Sequence, residues 1–136
     1  METFEQAPQQ FEKIKQIKGI DIGEGLRSSN NNVNAYLEIV ESFLEDAQSK
    51  VPEFKFFSTK ETRLWSEAEL EKFTKAVHAI KGAAAIIGAR FLSKKAADLE
   101  IAAKSGDLDT ITRDFPDFFA DLKTMAEEVE SAMKNA

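Results

Sequence analysis

The only histidine of the chain, His78, carries its clearest chemical signal. It directly follows Val77 of an apolar helical stripe, so a helix turns the imidazole about 100° away from that stripe and toward solvent. Lys81, Gly82 and Ala85 stand at i+3, i+4 and i+7 and share the face of the histidine. An exposed imidazole with a lysine beside it can hold an anion, and phosphate is the natural one. From these residues alone, a surface histidine without a role is the alternative.

Gly82 lies inside the predicted helix, where glycine costs about 1 kcal/mol relative to alanine. Two explanations for a glycine at this position are open. Another molecule can approach closely at this point, one turn from the imidazole, or a neighbouring helix can pack tightly there. The three alanines at 83–85 fit the second explanation equally well.

Other catalytic and metal-binding chemistries lack the residues they need. The chain has no cysteine, which excludes disulfides, thiolate metal sites and cysteine nucleophiles. One histidine without HExxH or EF-hand spacing indicates no metal site, and the glycines form neither a P-loop nor a dinucleotide fingerprint. Ser93 and Ser105 have no feature of an activated nucleophile. We therefore predict a protein that is not a conventional enzyme and has no metal of its own.

Composition indicates one globular domain with a negative net charge. The net charge of −6 disfavours binding to nucleic acid and to anionic membranes. A hydrophobic content of 43% in 136 residues is enough for a single core. The N-terminus lacks the features of a signal peptide, and no stretch approaches 18 consecutive apolar residues. We expect a cytoplasmic protein, and a monomer.

The elements that position His78 are predicted to be helices. Three prolines, six glycines and the absence of strand-like alternation favour an all-α protein. The expected architecture is an antiparallel up-down four-helix bundle over residues 19–136, preceded by a short extra N-terminal helix or lead at 1–18. Gly19–Asn32 is predicted to be a loop, because Gly and Asn are concentrated there.

The first two long helices have clear apolar stripes. Asn31 or Asn32 is the expected N-cap of the first, and Pro52 should either kink that helix or end it. A capping box at Ser66–Glu69 begins the helix that carries His78, and Gly88 ends it. The inward-facing positions recur at spacings of three and four: Leu37, Val40, Leu44, Ala47, Val51 and Phe54 in the first helix, and Leu70, Phe73, Val77, Ile80, Ala84 and Ile87 in the second.

The last two helices are joined by a tight reversal at Ser105–Gly106, with Asp107 placed to cap the segment that follows. Asp114 is the expected N-cap of the last helix, with Pro116 in its first turn and residues 108–113 as a separate helical turn. The predicted core positions are Leu92, Ala96, Leu99 and Ala103, then Phe115, Phe119, Leu122, Ala126, Val129 and Met133.

The segment at 78–89, HAIKGAAAIIGA, closely resembles the histidine-containing phosphotransfer (HPt) family. Leu92, the ADLE sequence at 97–100 and the SGD sequence at 105–107 extend the match. The upstream segments IDIGEGLR at 20–27 and YLEIVESFLED at 36–46 are similar to the region that precedes and forms the second helix of the family. The resemblance covers roughly residues 20 to 130.

This resemblance implies a phosphorelay intermediate. His78 would accept a phosphoryl group from a receiver-domain aspartate and pass it to another receiver aspartate. Glu100 would fix the tautomer of the ring through its other nitrogen, although an ordinary solvated glutamate is the alternative for this position. Lys81 would stabilise the phosphoryl oxygens, and Lys104 is a weaker candidate of the same kind. Gly82 would leave the gap that admits the partner's loops.

The resemblance also implies the partners. They are the receiver domains of response regulators and a hybrid histidine kinase. The receiver would supply Mg²⁺, and the chain would be a phosphocarrier without intrinsic kinase activity. The candidate partner-binding residues are Thr74, Lys75, Gly82, Ala85 and Lys104. A non-catalytic helical-bundle docking module, which binds receiver domains without carrying phosphate, is the alternative function.

The connection that precedes the His78 helix departs from the family pattern. It looks longer than usual and contains three Phe and one Trp within residues 54–65. These aromatic residues are expected to form a cap on one end of the bundle, and an exposed docking patch is the other interpretation.

Overall fold

The computed structural model describes residues 6–134, which form six α-helices, one 3₁₀ turn and no strand. The helices are α1 (Gln6–Lys15), α2 (Ile22–Ser28), α3 (Val33–Ser58), α4 (Glu67–Ile87), α5 (Arg90–Ser105) and α6 (Leu108–Met133), with the 3₁₀ turn at Thr62–Leu64. The predicted all-α class is confirmed. Residues 1–5 of the predicted N-terminal lead lie outside the described residues.

The four long helices form the predicted bundle. In cross-section their order is α3, α4, α5, α6, and α6 also packs against α3. Two-residue connections at 88–89 and 106–107 make α4, α5 and α6 successive antiparallel neighbours. The short α1 packs against α3 and α6 and buries Ile14, and Ile17 is buried just after the helix ends. Helix α2 packs against α3 and α4.

The predicted start of α3, both predicted ends of α4 and the predicted end of α5 are confirmed. The Asn32 side chain accepts a hydrogen bond from the Ala35 amide, in the first turn of α3, at 3.0 Å. In the capping box, Ser66 Oγ accepts from the Glu69 amide at 3.1 Å, and the Glu69 carboxylate accepts from the Ser66 amide at 2.8 Å. Gly88 and Gly106 end α4 and α5 with φ of +90° and +70°, a conformation that favours glycine. The turn at Gly88 sets where α5 starts beside α4, and the turn at Gly106 sets where α6 starts beside α5.

The prediction that residues 19–32 are entirely a loop is wrong, because α2 occupies Ile22–Ser28. Asp21 caps α2 by accepting from the Glu24 amide at 3.2 Å. A Cβ added at Gly25 would lie 2.3 Å from the Tyr36 ring, so only glycine allows this close approach. The Tyr36 hydroxyl in turn donates to the Ile87 carbonyl at 2.8 Å. Seven residues rich in Gly are too few to show an apolar stripe, which is why the sequence pattern missed this helix.

The predicted start of the last helix at Asp114 is also wrong. Helix α6 begins at Leu108, where Asp107 accepts from the Thr110 amide at 3.2 Å, so residues 108–113 belong to the same helix. Asp114 instead accepts from the Arg113 guanidinium. Buried side chains before and after Pro116 stabilise the continuous helix against the cost of an interior proline. Likewise α3 continues through Pro52 to Ser58 and does not end at the proline.

The connection between α3 and α4 closes one end of the bundle with an aromatic cluster, called here the aromatic end: Phe54, Phe57, Trp65, Phe73 and Phe115. The four phenylalanines are buried, and Trp65 covers them with its ring centroid 4.9 Å from that of Phe73. The predicted aromatic cap is therefore confirmed for Phe54, Phe57 and Trp65, and Phe73 and Phe115 complete it from α4 and α6. Phe56, by contrast, is 54% exposed.

Candidate functional site

His78 lies near the middle of α4 and points away from the core, as its position next to Val77 predicted. Its side chain is 64% exposed, whereas Val77 is fully buried. Helix α5 runs antiparallel beside α4 and brings Glu100 to the imidazole. The distance between His78 Nδ1 and Glu100 Oε2 is 2.6 Å. The two residues are 22 positions apart in the sequence, so the contact depends on the packing of two helices.

Glu100 is the centre of a polar cluster that consists of His78, Lys81, Glu100 and Lys104. Its side chain is buried, and each carboxylate oxygen has a partner. Lys81 Nζ donates to Oε1 at 2.6 Å. Lys104 Nζ lies 3.2 Å from Oε2, the same oxygen that contacts the imidazole. A buried charge is tolerated when it is paired and hydrogen-bonded, and this carboxylate is paired with two cations.

These partners keep Glu100 ionised. The hydrogen bond from Lys81 is the largest cause that lowers the pKa of Glu100 to about 2, the bonds from His78 and Lys104 act in the same direction, and desolvation opposes them. An ionised carboxylate can only accept hydrogen bonds, so Nδ1 of His78 must be the donor. In a neutral ring the lone pair then lies on Nε2. The cluster therefore orients the imidazole with its nucleophilic nitrogen away from Glu100.

The surface around the imidazole is open at Gly82 and Ala85. Both residues are exposed, and a Cβ added at Gly82 would meet none of the described atoms within 4 Å. Close packing of a neighbouring helix therefore does not account for this glycine. The absence of a side chain leaves a shallow, unobstructed face one turn from His78.

The remaining candidates from the sequence lie on the same helices but outside the polar cluster. The Thr74 hydroxyl donates to the Leu70 carbonyl of its own helix at 2.7 Å. Lys75 is exposed and lies 3.4 Å from Glu71, one turn earlier on α4. Neither side chain contacts His78 among the described hydrogen bonds and ion pairs.

Two serines near the cluster bond to the backbone. Ser93 Oγ donates to the Lys81 carbonyl at 2.9 Å and so ties α5 to α4 beside the cluster. Ser105 Oγ donates to the Ile101 carbonyl at 3.0 Å. Within residues 6–134, no group of three or more His, Asp or Glu side chains is arranged to hold a metal ion.

Sequence reasoning missed two features of the site. It did not predict that Lys81 and Lys104 would both bind Glu100, because contacts between helices are not visible in the spacing along one helix. It also did not single out Phe91 and Ile101, two apolar residues of α5 that are 77% and 67% exposed. Their signal was present in the sequence, since both fall outside the inward stripe of α5.

Comparison with known families identifies the class of protein. The family model described as Hpt domain matches residues 36–132. This match spans more than half of the chain, and the chain therefore belongs to the Hpt domain family. Neither a curated protein nor a solved structure gives a match.

Membership establishes the general function. Hpt domains act in phosphotransfer in two-component systems, as phosphocarriers and not as kinases. They interact with receiver domains and kinases in phosphorelays. Of the helices in the described part of the chain, none has the length and apolar character that crossing a membrane requires.

Proposed function

We propose that the protein is a phosphorelay intermediate that accepts a phosphoryl group on Nε2 of His78 from a receiver-domain aspartate and passes it to the aspartate of another receiver. The observation that carries this proposal is the bond of 2.6 Å between His78 Nδ1 and Glu100 on an exposed imidazole. That bond occupies one ring nitrogen and leaves the other free to react. Family membership supports the same reaction class.

The transfer step needs no proton to move. The Nε2 lone pair attacks the phosphorus of the aspartyl phosphate, an N–P bond forms, and the bond between phosphorus and the carboxylate oxygen breaks. The electron pair leaves with the aspartate carboxylate. Nδ1 keeps its hydrogen, so positive charge develops on the ring, and the ionised Glu100 stabilises that charge. Transfer to the second receiver is the reverse of this step.

Lys81 and Lys104 have a second task in this proposal. In the free protein, both ammonium groups contact the carboxylate of Glu100, next to the imidazole. Long lysine side chains can move from the carboxylate toward phosphoryl oxygens once these arrive. The receiver supplies Mg²⁺ for the transfer, and the chain acts as a monomer with no cofactor of its own.

A docking module that binds receivers without carrying phosphate is the second candidate. The open face at Gly82 and Ala85 is compatible with both functions. The oriented imidazole favours the carrier, because a docking surface has no need for a buried carboxylate that fixes one ring tautomer.

Phosphoryl transfer from a phosphorylated receiver, measured by intact mass with Mg²⁺ present, tests the proposal. We expect an acid-labile gain of about 80 Da, one phosphoryl group, on the wild type. The His78→Gln variant should gain nothing and should keep the same circular dichroism spectrum, because residue 78 is outside the core.

The matched control is Thr112→Gln, on an exposed position of α6. It should be phosphorylated like the wild type. If the wild type stays unmodified with several receivers that bind it, the carrier function is wrong and the docking module takes its place. Phosphorylation of the His78→Gln variant at the wild-type rate would also contradict the proposal.

A further inference from the structure

Charge is distributed unevenly over the bundle. Helices α4 and α5 together carry seven Lys or Arg and five Asp or Glu, whereas α3 and α6 carry four and twelve. The α4–α5 side is therefore slightly positive in a chain whose net charge is −6, and the α3–α6 side is strongly negative. Because α3 and α6 are neighbours in the cross-section, the two signs lie on opposite sides of the bundle.

The positive charge is concentrated near the polar cluster. Within residues 72–104 there are seven Lys or Arg and only two Asp or Glu, one of which is the buried Glu100. The acidic residues of α4 lie in its first two turns, toward the aromatic end. We define the basic face as five cations of α4 and α5: Lys75, Lys81 and Lys104, each about one turn from His78 or Glu100, and Arg90 and Lys94, nearer the connection at Gly88.

Arg90 and Lys94, the two members of the basic face that lie farthest from His78, are exposed. The side chains of Arg90 and Lys94 are 69% and 73% accessible, and their nearest acidic oxygens are 3.9 Å and 3.2 Å away. Exposed pairs of this kind are weak and exchange readily with other partners. Lys95 is excluded from the basic face, because it binds Asp117 and Asp121 of α6.

Apolar side chains lie among these cations. Phe91 and Ile101 are the two most exposed large apolar residues in the described part of the chain, and both are on α5. A face that combines cations with exposed apolar groups is suited to a protein surface, which can cover both kinds of group.

We propose that the basic face of α4 and α5 recognises an acidic protein surface, so that this carrier selects receivers with negative charge around the phosphorylated aspartate. The inference rests on the proposed function for the identity of the partner. The opposite charges of the two sides orient the carrier, since an acidic partner is attracted to the His78 side and repelled by the α3–α6 side.

A long polyanion fits the molecule less well. DNA or RNA extends beyond a face of this size and would be repelled by the rest of a chain whose net charge is −6. It would also leave Phe91 and Ile101 without an apolar partner. A compact protein with a local acidic region avoids both difficulties.

The test is the association rate with two purified receiver domains, one of net negative and one of net positive charge, measured by stopped-flow fluorescence. We expect the acidic receiver to associate faster, and its rate to fall about tenfold between low and high salt. The double variant Arg90→Glu/Lys94→Glu should lower the rate at low salt by about tenfold.

The matched control is the double variant Lys55→Glu/Lys123→Glu, which changes the net charge equally. Lys55 is on α3, two turns after Gln48, which donates to Glu130 of α6, and Lys123 is on α6 itself. The control should keep the wild-type rate within about twofold. An equal loss in both double variants, or association that salt does not change, would overturn the proposal.

Two further measurements separate this inference from the proposed function. Phosphorylation of His78 by phosphoramidate, which needs no protein partner, shows whether the imidazole reacts. If association depends on Arg90 and Lys94 but His78 is never phosphorylated, the basic face recognises an acidic partner and the carrier function is wrong. Stronger binding to duplex DNA or anionic vesicles than to the acidic receiver would overturn the choice of a protein partner.

Discussion

The polar cluster and the aromatic end lie on the same helix, α4, and differ in almost every physical property. At the aromatic end, Phe73 is fully buried and contacts the rings of Phe57 and Phe115. In the polar cluster, by contrast, the imidazole of His78 is mostly exposed and is hydrogen-bonded to a single carboxylate, that of Glu100. The bundle therefore obtains its stability in one region and presents its chemistry in another. Substitutions should separate the two.

The largest effect on stability is expected at the aromatic end. Phe73→Ala removes a fully buried ring and should lower the free energy of unfolding by about 3–5 kcal/mol. Urea denaturation followed by circular dichroism measures this difference in the free energy of unfolding. Phosphorylation of His78 per folded molecule should be unchanged, because Phe73 is on the opposite face of α4.

Phe73→Leu gives the same comparison in a protein that keeps more of its core, in case the alanine variant does not fold. A Phe73→Leu protein that is fully folded but transfers phosphate tenfold more slowly would show that the two regions are coupled.

At the polar cluster, the main effect of a substitution is expected on phosphoryl transfer and not on stability. Glu100→Gln keeps a hydrogen-bond acceptor for Nδ1 but removes the negative charge that faces the ring. We expect phosphoryl transfer to His78 to slow by about tenfold, the lower end of the loss of about 10- to 100-fold that is typical when the hydrogen-bond partner of a metal-ligating histidine is altered. Rapid-quench kinetics with a phosphorylated receiver would measure the rate, and Glu100→Ala should be slower still. Equal rates in all three proteins would mean that Glu100 has no role in the transfer.

The smallest effect is a pH dependence of stability. Because the pKa of Glu100 is about 2 in the folded protein and near 4.3 in an unfolded chain, the ionised form stabilises the fold above the unfolded value. This contribution is lost as the pH falls toward 2. The difference in the free energy of unfolding between wild type and Glu100→Gln should therefore shrink below about pH 5.

Subtracting the variant removes the effects of the other carboxylates whose pKa is lowered, such as Asp107 and Asp114, since both proteins contain them. A difference that stays constant down to about pH 2.5 would contradict the assignment of Glu100 as a buried, paired carboxylate.

The two regions were also not equally predictable from the sequence. The direction of His78 followed from its position next to a regular apolar stripe, because the helical period fixes the angle between neighbouring side chains. The aromatic cap followed from the concentration of Phe and Trp before α4. The contact between Glu100 and His78 came only from the family resemblance, since it depends on how α5 packs on α4.

Two errors in the fold have a common origin. Helix α2 was assigned to a loop on account of its glycines, and the start of α6 was placed after Asp107 on account of Pro116. In both cases tertiary contacts outweigh local preference: Gly25 packs against Tyr36, and Ile111 is buried in the core. Such contacts are invisible to a pattern read along one segment.

The central claim is that Glu100 holds the Nδ1 hydrogen of His78 and so leaves Nε2 as the reacting nitrogen. Long-range ¹H–¹⁵N correlation spectra of the imidazole test it most directly, and with one histidine in the chain the signals need no assignment. We predict a hydrogen on Nδ1 in the free protein and, after treatment with phosphoramidate, a phosphoryl group on Nε2. A free ring with its hydrogen on Nε2, or a phosphoryl group on Nδ1, would contradict it.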